Sequence, residues 1–498
     1  MRIYGAAIIG AGAAGLAAAA CGGEAWALLE RNEEPGKKLY ATGNGRCNYM
    51  NVNADEATGS TGTHALKEKL RSLGIYGREE ADGRLYPMSG RAEDVVAALL
   101  ARVRAKKTEL IIGFEVVSAV KKNGLFMIAS ADGRKLCAKK LIVATGGKAG
   151  IQYGCYGTGY KLAEAFGHSI IKPIPALVPL ECREDLGSIA GVRVKGKVSL
   201  VKRYNFTPTQ TSALAPGSVI DTYASMRAAE EASDRSPALL QEVKDEANDR
   251  IESGTEPGVK DDTNSRVFSL CAEAEKEIKL ETTSRISALP KEAESEIERY
   301  SDSGEILFSK TGISGICTMN ISRFLRLEPG SEFWVELDLF EDFSEEGLSA
   351  LLRERAGALR ESAACEENAA FILNSLLPSK LAIFVLKRAG IEAERKISAL
   401  RPEDFDCIAR HCKAFRFEIS GSAGWRQAQV SCGGVELSEI YTDSMESRLV
   451  PGLYFAGEVL DYDGPCGGYN LSWAFSTGIR AGEAAEKSLS SPSVFPAP

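Results

Sequence analysis

The chain of 498 residues has no CxxC pair, and its twelve cysteines are scattered from Cys21 to Cys466. That density lies far below a disulfide scaffold, so the cysteines read as reduced thiols and the expected compartment is the cytoplasm. Histidine is scarcer: His64, His168 and His411 stand far apart and no HExxH occurs, so no metal site is expected. No window approaches roughly 18 uninterrupted apolar residues, which argues against a spanning helix. Basic residues are not in excess either. Sixty Lys and Arg face 68 Asp and Glu, a net of −8, which opposes non-specific attraction to polyanions. Neither a nucleic-acid nor a membrane partner is expected. A nucleophile elbow is also missing, because Gly312-Ile313-Ser314-Gly315 is followed by Ile316 where the last glycine should stand.

What is present is ordinary globular material, 44% hydrophobic and 26% charged. The length suggests about three domains. Charge locates one boundary. Between Tyr204 and Ser303 there are 21 acidic and 11 basic residues, a net of −10, against +2 for the remainder. This stretch is poor in aromatics and is broken by Ser236-Pro237 and Glu256-Pro257-Gly258. It reads as an inserted, mostly solvated segment, with Ala272–Lys279 and Lys291–Tyr300 able to form polar helices. A protein partner through 204–303 is one use for it. From Ser344 to Cys412, Leu348, Leu351 and Leu352 and then Leu376–Lys387 have helical apolar spacing, which predicts a small helical bundle. Cys407 and Cys412 point about 140° apart on such a helix, so they do not share a ligand.

The N-terminus carries the strongest local pattern. Gly5–Cys21 is apolar after Arg2, like a short signal peptide. However, a β-type run at Ile3–Ile9 leads straight into Gly10-Ala11-Gly12-Ala13-Ala14-Gly15 and an alanine-rich helix. The first glycine permits a tight turn, the second lets backbone approach a pyrophosphate, and the third allows close helix–strand packing. A second strand, Ala25–Leu29, ends at Glu30, twenty residues after Gly10, where a carboxylate can accept from both ribose hydroxyls of an adenosine. That acid disfavours a 2′-phosphate. NAD and FAD both remain open at this point.

The next segment separates them. Arg31 to Lys38 is followed by Thr42-Gly43-Asn44-Gly45-Arg46-Cys47-Asn48. Gly43 and Gly45 allow backbone close to a ligand, while Lys38 and Arg46 can pair with phosphates. A nicotinamide dehydrogenase has no need of a second glycine loop here, whereas a large dinucleotide with its ring further along does. Cys47 has no neighbouring partner for a redox pair and reads as a packed small residue beside the cofactor. Phe114-Glu115-Val116-Val117 alternates like a strand, and Leu141–Val143 runs into Ala144-Thr145-Gly146-Gly147 near the adenosine half. The last block is the most specific: Gly452–Gly457-Glu458, Asp461 to Asp463, then Gly464-Pro465-Cys466-Gly467-Gly468-Tyr469-Asn470-Leu471. It predicts a strand ending at an acid for ribityl hydroxyls, then a helix, Leu471–Ala485, whose N-terminus stabilises a reduced flavin.

These runs, with Gly83-Arg84…Pro87, Thr311–Gly315 and Gly433–Ser447, resemble the bacterial BaiN/YhiN-like flavoproteins, also labelled the aminoacetone oxidase family, over residues 1–203 and 304–487. The resemblance implies an α/β fold of the two-dinucleotide-binding-domain type. A Rossmann-like FAD domain would be built from 1–190 and 420–498, with a β-rich domain at 191–340 and a helical subdomain at 341–419. It implies FAD held by Gly10, Gly12, Gly15, Glu30, Arg46, Asn48, Glu458 and the loop Gly467–Leu471, with Gly468 and Asn470 in it. Ala13, Ala14, Arg31, Lys38, Gly45, Cys47, Val116, Ala144, Thr145, Gly146, Gly457 and Asp463 complete the expected cofactor contacts. The implied activity is hydride transfer between FAD and a small organic substrate, by amine oxidation or reduction of an activated C=C bond. With no second GxGxxG, NAD(P)H would visit transiently. No catalytic acid or base is identified. The rival reading is a flavin-bearing interaction protein that docks a partner through its acidic insertion. Two departures touch the substrate side: the insertion replaces a short hairpin, and Ile316 stands where the family has proline.

Overall fold

The strand Ile3–Ile9 lies at the centre of a nine-stranded sheet, and Ala6, Ala7, Ile8 and Ile9 are all buried. A strand covered on both faces has no polar alternation to show, which is why this one reads as a continuous apolar run. On one side it pairs in parallel with Ala27–Leu29, which pairs with Glu109–Ile111. On the other it pairs with Lys135–Val143, and that strand with Leu453–Phe455 from the far end of the chain. A three-stranded antiparallel turn-back, Val116–Lys122, Leu125–Ser130 and Lys135–Val143, supplies the crossover. The computed structural model describes residues 2–204, 297–327, 330–360 and 367–490.

The two ends of the chain are joined by helix packing as well. Apart from Leu16, Ala13–Cys21 carries only small residues, and Tyr469–Ser490 meets it through Gly478 and Gly482. A Cβ at Gly478 would lie 2.3 Å from the Ala14 carbonyl oxygen, and one at Gly482 would lie 2.5 Å from that of Ala18. Backbone therefore packs on backbone. The sequence spacing places the start of the last helix two residues too late; it begins at Tyr469 and runs to Ser490.

A second core is built on a six-stranded closed barrel. Its strand order is Leu180–Cys182, Gly312–Ser314, Ile297–Phe308, Arg193–Tyr204, Ser331–Asp338 and Phe415–Ser422. Val198, Leu200, Ile306, Phe308, Val335, Leu337, Phe415 and Phe417 contribute to its core. Helices Glu345–Arg360, Ser379–Arg388 and Pro402–Lys413 add Leu348, Leu352, Leu381, Val385 and Ile408 to that same core. The barrel therefore draws strands from both sides of the 191–340 segment. Cys412 is buried in it, while Cys407 on the same helix contacts the Ala389 carbonyl at 3.5 Å.

Most of the acidic insertion, 205–296, lies outside the described residues, as does the helix expected at Ala272–Lys279. Its end requires a correction. Ile297–Ser303 belongs to the strand Ile297–Phe308, and so does the Ile297–Tyr300 part of the expected helix Lys291–Tyr300. Acidic composition suggested solvated helix there. Pairing within the barrel overrides that preference, and exposure alternates along the strand until Ile306.

One buried histidine ties the edge of the sheet. His168 Nδ1 lies 2.8 Å from Glu439 Oε2, and its Nε2 lies 2.8 Å from Ser447 Oγ. Ser447 Oγ accepts from the Leu449 and Val450 N–H groups, so the network assigns a neutral ring that donates to Glu439 and accepts from Ser447. Burial pushes the His168 pKa down from its usual 6.5, against the pull of Glu439. Glu439 is held below its usual 4.5: burial opposes this, but hydrogen bonds from Ser169 and His168 outweigh it. Both groups bind fewer protons folded than unfolded, so stability rises with pH. Thermal melts should be level above about pH 6.5 and fall below it, first through His168 and then through Glu439. His168→Gln should flatten the upper part of that loss. An unchanged acid limb in the variant would contradict the assignment.

Candidate active site

A cavity of about 690 Å³ runs from the first glycine loop to the start of the last helix. At one end Gly12 caps the helix Ala13–Cys21 without a side-chain hydrogen bond, so the first-turn N–H groups of that helix have no side-chain partner there. Gly10 has φ +100°, and a Cβ there would meet the Ala144 carbonyl oxygen at 2.5 Å. Glu30 closes the turn: Oε2 accepts from Ala11 N at 2.8 Å, and Oε1 accepts from Asn32 N and Nδ2, each at 2.8 Å. Arg31 pairs with Glu115 at 2.6 Å and stacks over Tyr156.

The middle of the wall is an ion pair between the two halves of the chain. Lys38 Nζ lies 2.6 Å from Glu458 Oε2, while Glu458 Oε1 accepts from Ser431 N at 2.8 Å. Burial opposes the charge on Lys38, but Glu458 outweighs it and its pKa is raised. Ser431 Oγ accepts from the Lys148 and Ala149 N–H groups, tying in the strand end after Val143. At the far end, the loop 42–47 carries positive φ at Gly43, Asn44, Gly45 and Cys47. For Cys47 that conformation costs about 1–2 kcal/mol. Asn48 follows, nine-tenths buried, and its Oδ1 has no hydrogen-bond partner among the described residues. Opposite stand Arg84, Gly467 and Gly468, with Leu177, Ile316, Met319 and Val430 beside them.

Nearly all the expected contact residues line this one cavity: Gly10, Gly12, Ala13, Ala14, Glu30, Arg31, Lys38, Arg46, Asn48, Val116, Ala144–Gly146, Gly457, Glu458, Gly467, Gly468, Asn470 and Leu471. Four do not. Gly15 faces inward, where a Cβ would sit 1.8 Å from the Gly10 carbonyl oxygen. Gly45 shapes the loop from outside the wall, with φ +84°. Cys47 is fully buried, and burial pushes its thiol up to about 11. Asp463 is turned away to Arg323, whose Nε donates to it at 2.6 Å. The Asn470 amide is also committed, to Gly464 N and O at 2.8 Å each, so it clamps its own loop. Arg46 pairs with Glu80 and stacks 4.0 Å over Tyr86.

Sequence reasoning missed Gln429, Leu177 and Met319 on the cavity wall, and Ser431 buried behind Glu458; no local signal exists for any of them. They are placed by the antiparallel pairing of Ile170–Ala176 with Val430–Val435 and by the short helix Ile316–Ser322. Arg84 and Cys466 stood inside quoted motifs and were readable. Among the described residues, no group of three or more His, Cys, Asp or Glu is placed to hold a metal ion, and no helix is long and apolar enough to cross a membrane.

Residues 4–484 match the family model described as the HI0933-like protein Rossmann domain. The chain belongs to the HI0933-like family. This is the family of the BaiN/YhiN-like flavoproteins, and as a member the chain is an FAD-dependent oxidoreductase. It is 30% identical to the 3-dehydro-bile acid delta(4,6)-reductase of Clostridium scindens, over 96% of this chain and 98% of the relative. It is 25% identical to the ribosomal RNA dihydrouridine synthase of Escherichia coli, over 96% of each. Among solved structures, the open conformation of a flavocytochrome c3 fumarate reductase matches 98% of this chain and 79% of that one, at 13% identity and a TM-score of 0.39. That likeness is too distant to bear on the site of this HI0933-like chain.

The residues present fit FAD. Nothing lies within 4 Å of where a Cβ would stand at Gly12 or Gly146, so the backbone leaves room for a ligand there. The volume falls within the roughly 300–1,000 Å³ of cofactor pockets. The orphaned Asn48 Oδ1 lacks a donor of the kind a ring N–H supplies.

Proposed function

We propose that the protein holds FAD along this cavity and reduces a carbon–carbon double bond conjugated to a carbonyl in a small organic molecule, with NADH or NADPH as a visiting reductant. The observation that carries the reading is the single cavity bounded by two helix N-termini, one after Gly12 and one after Gly468. The first would hold the pyrophosphate: the first-turn N–H groups after Gly12 and the positive end of the helix dipole favour an anion. Glu30 uses three of its roughly four lone-pair positions within the protein and keeps one for a ribose hydroxyl. Lys38 neutralises Glu458, and the pair would hold the ribityl chain. The second helix N-terminus, after Gly467 and Gly468, would favour the pyrimidine edge of the ring, where negative charge gathers on reduction. FAD, when bound and reduced, supplies a hydride. The remaining task for the chain is to hold the substrate, exclude water and supply a proton.

Both relatives' names support reduction over amine oxidation. One acts on the Δ4,6 unsaturation of a 3-oxo steroid, and the other makes dihydrouridine, in which a double bond beside a carbonyl is reduced. The apolar wall of Leu177, Ile316, Met319 and Val430 favours a small apolar substrate. The test is anaerobic: bleach the flavin with NADH or NADPH, then add cyclic enones, 3-oxo-Δ4 steroids, amines or ribosomal RNA, and follow its return. Recovery with an enone is expected. Recovery with RNA alone, or turnover with amines alone, would refute the reading.

Glu30→Ala provides an independent check on the cofactor. It removes the ribose acceptor and leaves the Ala11 and Asn32 N–H groups unpaired, so FAD binding should weaken by about 1–3 kcal/mol. Flavin should be lost during dialysis that the natural protein withstands. Equal retention would show that Glu30 does not contact the cofactor.

A further inference from the structure

The far end of the cavity holds a polar pair on an apolar wall. Cys466 packs against the cluster of Ala176, Leu177, Val430 and Cys432, with Met319 alongside. Its backbone N–H is fixed by Asn320 Oδ1 at 2.8 Å, and its Sγ faces Gln429 Oε1 at 3.9 Å. The Gln429 amide donates only to the Met319 thioether, at 3.5 Å. A thioether is a weak acceptor and a thiol a weak donor, so this exposed amide has strong hydrogen-bonding capacity matched to poor partners. Both side chains line the cavity, so the amide and the thiol offer two donors to a ligand acceptor at this end.

We propose that Gln429 and Cys466 form the subsite for the carbonyl end of the substrate, with the amide donating to the carbonyl oxygen and the thiol protonating the carbon next to it. This rests on the enone-reduction reading above. The β-carbon takes the hydride, the reductant being reduced flavin recharged by NAD(P)H. The π pair becomes a C–H bond at the α-carbon, the Cys466 S–H bond breaks, and the thiolate regains its proton from water. Burial pushes this thiol up to about 12, Arg84 and Arg323 acting against the shift and Asp302 with it. The proton is therefore in place at neutral pH, and the two guanidiniums face the thiolate once it forms. Loss of a positioned general acid costs about 10²–10⁴-fold.

Cys466→Ala, Cys466→Ser and Gln429→Ala test the assignment in the holoprotein. In Cys466→Ala, bleaching of the flavin by NAD(P)H and its reoxidation by ferricyanide are measured alongside, as the reference against which the enone step is read. Reoxidation by a cyclic enone should slow by about 10²–10⁴-fold, and Cys466→Ser should restore part of it. Gln429→Ala should raise the half-saturating enone concentration. A readout without turnover is peptide mapping after N-ethylmaleimide. A saturated cyclic ketone should protect Cys466 in the natural protein and not in Gln429→Ala. Equal enone reoxidation in Cys466→Ala, or no ketone protection, would overturn the subsite. If the natural protein itself returns electrons to ferricyanide but to no enone, the enone reading falls, and the subsite with it.

Discussion

Gly15→Ala is expected to leave a colourless and weakened protein. Its Cβ would stand 1.8 Å from the Gly10 carbonyl oxygen and 3.5 Å from the Ala144 Cβ. The obstacle is backbone, which cannot rotate away as a flexible side chain would. Gly10 itself has no room to retreat, because its own α-carbon environment already abuts the Ala144 carbonyl. Overpacking of this kind typically costs 1–3 kcal/mol or more, and the upper end applies where rigid atoms meet. The displaced turn carries the Ala11 N–H away from Glu30 and moves the helix N–H groups off the phosphates. Loss of flavin absorbance after gel filtration, together with a lowered urea midpoint, is the expected result. A yellow variant of unchanged midpoint would show that the turn has slack that the structure lacks.

Gly478→Ala tests the union of the two chain ends, and its sign separates two arguments. Helix propensity alone predicts a gain of about 1 kcal/mol in the middle of the long helix Tyr469–Ser490. Packing predicts the reverse, since the new methyl would meet Ala14 O at 2.3 Å and Ala14 Cα at 2.9 Å. We expect packing to win and stability to fall by about 3 kcal/mol, read from urea unfolding. Gly357→Ala is the control, at an exposed position of the helix Glu345–Arg360 where nothing lies within 4 Å of the added carbon. It should gain about 1 kcal/mol. If Gly478→Ala also gains, the helices are not in backbone contact.

The glycine loop, Glu30 and the block around Gly467 were legible because each is a local device. A tight turn, a helix N-terminus and a carboxylate at a strand end act within some thirty residues, and residue type alone reports them. The same locality explains the misreadings. Asp463 and Asn470 sit within the right motif, but whether they face a ligand depends on Arg323 and on the Gly464 backbone. Cys47, by contrast, is buried, in keeping with its reading as a packed small residue. The strand Ile297–Phe308 was misread at its start because acidic composition reports solvation, while pairing in a barrel is set by partners more than a hundred residues away.

The amino-acid sequence by itself determined the Rossmann-like α/β unit, the dinucleotide pattern and nineteen of the residues that line its cavity. These follow from periodicity, glycine and charge at short spacing, where chain connectivity does the positioning. The tertiary structure alone decided which strands close the barrel, that Ser431 braces Glu458 against Lys38, and that Gln429, Met319 and Leu177 face Cys466 across the far end. Such contacts join residues some 27 to 420 positions apart. They are selected by burial of the whole core, a cooperative quantity that no short window of sequence contains.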